Sequence, residues 1–138
     1  MRLALRLAWL AVAWLAVIVA MGAAAQAASP DEKFEKALLK LDPSARLEQL
    51  CDYTALTRIR ADDKNFRPDR AVANAMAEPQ VVQDTVEAKA GAFRSRKKWY
   101  TLAYHCTATP DHLKVVSFNY SIGPEIPETK WAGYGLWD

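Results

Sequence analysis

The chain has 138 residues, 51% of them hydrophobic and 25% charged, with 18 basic against 16 acidic side chains and a formal net charge of +2. That length fits one compact domain with a modest core, and so small an excess of positive charge gives no basis for a nucleic-acid partner. Two cysteines without a C-x-x-C pair exclude a dithiol redox site.

In chain order, Arg2 and Arg6 precede an uninterrupted apolar run from Leu7 to Ala25, which ends at the small-x-small triplet Ala25-Gln26-Ala27. This is the three-part pattern of a cleavable signal peptide over residues 1–27. The alternative is a retained anchor, because 19 apolar residues approach the roughly 20 needed to span a bilayer. The alanine and glycine at the end of the run and the cleavage triplet favour removal, so contact with the membrane is expected only through the signal segment. Residues 28–138 are then a single domain, and losing Arg2 and Arg6 leaves sixteen basic against sixteen acidic side chains. An exported chain meets an oxidising compartment, where Cys51 and Cys106 are expected to bridge.

Ser29-Pro30 with Glu32 reads as a helix start, giving a first helix from Pro30 to about Leu41. Asp42-Pro43 repeats the signal and opens a second helix to about Arg60. On a helical wheel Leu47, Leu50, Cys51, Thr54, Ala55 and Ile59 share one stripe, which puts Cys51 on the buried face. Arg58 falls on that stripe too, against the pattern, and is expected at a frayed end or paired with a carboxylate. "RADDKNFRPDR" reads as a loop broken by Pro68. "RAVANAMAEP" is ambiguous between helix and strand and is taken as a strand.

From Thr85 the period changes to two. Tyr100, Leu102, Tyr104 and Cys106 share one strand face; Val116, Phe118, Tyr120 and Ile122 share a face of the next strand. "TATPDH" is the turn between them, and "RSRKK" turns back to a strand near residues 85–94. The predicted fold is α+β: two N-terminal helices packed on a three- to four-stranded antiparallel meander, with one helix-to-sheet disulfide from Cys51 to Cys106. The tail "GPEIPETKWAGYGLWD" has no strand period, and its aromatics are expected to fold back over open sheet surface.

The segments "LDPSARLEQLCD", "RPDRAVA", "GAFRSRKKWYTLAYHC", "DHLKVVSFNYSIGPEIP" and "WAGYGLW" together resemble the domain of unknown function 930 family, found in exported proteins of Gram-negative bacteria. The resemblance spans about residues 41–137. It implies an envelope protein with a paired-cysteine domain, and it implies no catalytic residue.

Chemistry-bearing constellations are sparse. His105 and His112, with Asp111, lack the spacing of a metal site, so no metal and no cofactor is expected. No G-x-S-x-G is present. Glu48 with Asp52, one helical turn apart, reads as a solvated edge, and Asp62 with Asp63 as a loop pair. The stronger feature is the basic hairpin of Arg94, Arg96, Lys97 and Lys98, with Trp99 on the strand's outer face and Trp131, Tyr134 and Trp137 in the tail. These eight residues are the candidate binding surface, suited to an anionic envelope component or another envelope protein. The expected product is a periplasmic or secreted, non-catalytic domain for recognition or structural support. The alternatives are a small envelope enzyme acting on cell-wall material, or an inhibitor or adaptor of another envelope protein.

Overall fold

The computed structural model describes residues 31–138; the expected signal segment and Ser29-Pro30 lie outside them. The first helix, α1 (Glu32–Leu38), is capped by Asp31, whose carboxylate accepts from the Phe34 N–H. It stops three residues short of the expected Leu41. The second, α2 (Pro43–Asp62), starts as predicted: the Asp42 side chain accepts from the Ser44 and Ala45 N–H groups, and Pro43 occupies the first turn, where its missing donor costs nothing. Arg46 closes the junction by donating to the carbonyl of Leu38, which also accepts from the Leu41 N–H, and to that of Leu41, just past the end of α1.

The sheet contains β1 (Pro68–Val72), β2 (Gln80–Val82), β3 (Thr85–Ser95), β4 (Lys98–Ala108) and β5 (Val115–Glu125), all antiparallel. The expected meander is β3–β4–β5. β1 and β2 share the outer edge of β3, at its end and its beginning respectively, so five strands make a sheet four positions wide. Two boundaries differ from expectation. β1 opens at Pro68, inside the predicted loop, because an edge strand tolerates a residue that cannot donate to the ladder. The alanine-rich segment after Val72 is irregular, not a strand, although Ala73 and Ala75 are buried.

α2 lies across one face of the sheet. The predicted stripe of Leu47, Leu50, Cys51, Thr54, Ala55 and Ile59 is buried there, against Val86, Ala88, Phe93, Leu102, Tyr104, Cys106 and Phe118. Arg58 leaves the stripe for solvent and lies 3.8 Å from Asp62, one turn on. Cys51 and Cys106 are bonded across this interface, closing a separation of 55 residues. Gly91 sits at the bulge where β3 leaves β2 for β1. A Cβ there would stand 2.6 Å from the Val72 carbonyl oxygen, so the close approach of β1 depends on its having no side chain.

The opposite face has its own, smaller core. The tail turns through α3 (Glu128–Trp131) and a 3₁₀ turn (Ala132–Tyr134), neither of them predicted, and lays Ile126, Trp131 and Leu136 over Ala92 and Trp99. The rest of this face, around Glu87, His105, Asn119 and Ser121, is left open. No helix among the described residues is long and apolar enough to cross a membrane.

Each of Cys51→Ser and Cys106→Ser removes the same crosslink, so thermal denaturation of the two variants is expected to show one common loss, about 4 kcal/mol in the chain-entropy account. Two free thiols in the protein purified under non-reducing conditions would contradict it.

Candidate functional site

The β3–β4 hairpin closes in two residues. Ser95 and Lys98 are paired, and Arg96 and Lys97 occupy the turn with φ of 50° and 65°. Positive φ at both central residues is what a tight hairpin requires, and Asn-Gly is the residue pair that meets it without steric cost. A left-handed residue with a side chain costs on the order of 1 kcal/mol. This chain therefore places two exposed cations where local propensity argues against both.

The eight predicted binding residues do not form one surface. Arg94 is engaged: its Nε and Nη2 donate to the two carboxylate oxygens of Asp69 at 3.0 and 2.8 Å. These bonds hold Asp69 below the ordinary carboxylate range. Lys98 lies 3.3 Å from Glu125. Among the described residues, neither Arg96 nor Lys97 has a carboxylate within 4.0 Å. Trp99 faces away from Tyr100 and Leu102 as expected but is not at the surface. It is 0% exposed, because the tail covers it, and its Nε1 donates to the Trp137 carbonyl at 2.8 Å. Trp131 is likewise buried, with Nε1 donating to the Ile126 carbonyl, and Tyr134 is half-buried.

The aromatic that does reach solvent is Trp137, 46% exposed. Its indole stands against Trp99 at 5.7 Å between ring centres, and the Arg70 guanidinium lies over it at 5.5 Å. Arg70 is opposite Arg94 in the β1–β3 ladder, and the Arg67 N–H donates to Ser95 beside the turn. One corner of the sheet thus presents Arg67, Arg70, Arg96 and Lys97 beside an exposed tryptophan.

A second polar feature lies on the α2 side and contradicts the solvated edge expected for Glu48 and Asp52. Asp52 is only 6% exposed; its Oδ1 accepts from the Tyr104 hydroxyl at 2.9 Å. Burial pushes its carboxyl from 3.8 to about 8, against the Tyr104 bond and with help from the nearby Glu48 charge. Burial also raises the Tyr104 hydroxyl, with the Asp52 charge second. Asp52 borders a cleft between α2 and β1. The wheel missed it because it flanks the apolar stripe, and its partner lies 52 positions away in sequence.

The two histidines are not brought together on one group. His105 is exposed on the open face opposite Glu87 and Asn119, whereas His112 is buried, with Nδ1 2.7 Å from the Pro43 carbonyl and Nε2 2.8 Å from Asp84. His112 is a strut joining the β4–β5 turn to the start of α2. Asp62 accepts from the Tyr120 hydroxyl, and Asp63 caps Asn65. Among the described residues no cluster of three or more His, Cys, Asp or Glu side chains forms a metal site.

Over residues 38–136 the chain matches the family model described as Domain of Unknown Function (DUF930). No curated protein and no solved structure matches it.

The turn strain predicts that Arg96→Asn with Lys97→Gly raises the unfolding free energy by about 1 kcal/mol, read by chemical denaturation. An unchanged or lower value would show that the left-handed turn carries no such cost. The buried acid makes a second prediction. Because the folded state keeps the Asp52 proton that the unfolded state releases, this group's contribution to stability falls as pH rises from about 4 to about 8, by about 1.4 kcal/mol per unit. Melting curves of wild type and Asp52→Asn between pH 5 and pH 8 are expected to diverge, with wild type losing ground as pH rises. Parallel curves would refute a protonated Asp52.

Proposed function

The chain belongs to the DUF930 family, and we propose that it is a non-catalytic domain of the periplasm or the secreted fraction that recognises an anionic, phosphate-bearing envelope surface. The observation that carries this reading is the Arg96-Lys97 turn, which has no ion-pair partner among the described residues and is held at strained backbone positions next to the strand whose Trp99 packs on exposed Trp137. Strain retained at a solvent-exposed site points to selection for something other than stability. Cations at the tip supply attraction to lipid or lipopolysaccharide phosphates. An amphipathic indole suits the boundary between head groups and apolar chains. The helix-to-sheet disulfide suits an oxidising compartment and agrees with the exported chain read from its first 27 residues.

The alternative of an enzyme acting on cell-wall material would need a second free carboxylate in the cleft that Asp52 borders, and the nearby Glu48 does not line it. Asp69 lines the same cleft, but both of its oxygens are bound by Arg94. That occupancy favours recognition over hydrolysis.

Sedimentation of the oxidised exported protein with phosphatidylglycerol vesicles, lipopolysaccharide or peptidoglycan tests the proposal. Binding to the phosphate-bearing particles is expected to weaken with salt. It should fall about thirty-fold in Arg96→Gln/Lys97→Gln, at about 1 kcal/mol per cation near an anionic surface. Binding only to peptidoglycan, or binding indifferent to salt and to the double variant, would overturn it.

A further inference from the structure

On the α2 side of β1, the helix and the strand leave a cleft of about 300 Å³, at the lower end of the range for small-molecule sites. Two aromatic rings border it from different elements. Tyr53, on α2, is stacked on Phe34 at 3.9 Å with an interplanar angle of 19°, and its hydroxyl donates to Asp31, so the ring is fixed from two sides. Trp137, from the tail, is fixed by its backbone bond to Trp99 and by Arg70 over its face. Leu56, Ala71 and Val72 complete the apolar lining.

The polar groups at the cleft are few and mostly donors. Asp52 uses Oδ1 to accept from Tyr104, and Oδ2 has no partner among the described residues. No buried side-chain oxygen among the described residues goes unsatisfied, so Oδ2 is accessible, and the cleft is the opening that Asp52 borders. As the neutral acid it donates a hydrogen bond there. Gln49 adds an amide at the rim. Arg70 has no hydrogen-bond acceptor and no ion-pair partner among the described residues, while its neighbour Asp69 is taken up by Arg94. The guanidinium face is spent on Trp137, and its N–H edge is left to bind a carboxylate through two parallel bonds.

We propose that this cleft binds a sugar ring bearing a carboxylate. A pyranose has apolar C–H faces that suit aromatic rings and a rim of hydroxyls that suits the Gln49 amide and the Asp52 carboxyl. Arg70 selects for the acid, and it repels an amino sugar carrying an ammonium. The site shares Trp137 with the phosphate-binding tip but not its cations, since Arg96 and Lys97 do not line it.

The test is titration of the oxidised exported protein with glucuronic acid, glucose and acetate, followed by tryptophan fluorescence and backbone amide NMR. Glucuronate is expected to shift Gln49, Tyr53, Ala71 and Trp137 saturably, at least about tenfold more tightly than glucose, the worth of one charge-assisted hydrogen bond. Arg70→Gln should erase that preference, and Gln49→Trp, a change at an exposed position that fills the cleft, should abolish the response. Arg96→Gln/Lys97→Gln should leave it unchanged. The proposal is overturned by a flat response to glucuronate, by acetate binding as tightly, by a preference that survives Arg70→Gln, or by loss of glucuronate binding in the tip variant.

Discussion

The bond between Cys51 and Cys106 decides where α2 lies, and most of the molecule's polar organisation follows from that placement. Tyr104 is two residues before Cys106 on β4, so it shares the same face, and Asp52 directly follows Cys51. Once the sulfurs are joined, the Asp52 carboxyl is carried against the Tyr104 hydroxyl and out of water. A group that would be an ordinary surface acid on an isolated helix becomes a buried, neutral one. The same placement sets the distance between α2 and β1 and so opens the cleft between them.

Much of the architecture was legible because it is encoded locally. Asp42-Pro43 states its cap in two adjacent residues, and the alternation along residues 100–106 states its strand in seven. What could not be read depends on partners distant in the chain. Trp99 was assigned to the correct side of β4, but whether that side meets solvent is decided by Trp131 and Leu136, more than thirty positions away. Asp52 fails in the same way. Carboxylates four apart are normally solvated, and only the far Tyr104 marks this one as buried. β2 has three exposed residues and no face to bury, so it leaves no hydrophobic period to detect.

Splitting the predicted binding set is itself informative. Arg94, Trp99 and Trp131 build the corner, through an ion pair and two indole hydrogen bonds, and Arg96, Lys97 and Trp137 are what that corner displays. The supporting Arg94 and Trp99 lie on the paired strands β3 and β4, whereas the displayed residues lie in the turn that joins those strands and at the end of the tail. Cationic tip and aromatic cleft then flank Arg70, so two neighbouring surfaces of different chemistry are organised by one short edge strand.

The crosslink also simplifies the history of the molecule. With only two cysteines in the chain, oxidative folding has a single intramolecular product, and no shuffling among wrong pairings is needed to reach it. Cys51 is synthesised well before Cys106, and until β4 arrives its thiol can be oxidised only by another molecule. The competing product is a disulfide-linked dimer, formed in proportion to local chain concentration. How soon the second half of the chain becomes available, and not an isomerase, therefore sets the yield of the native monomer.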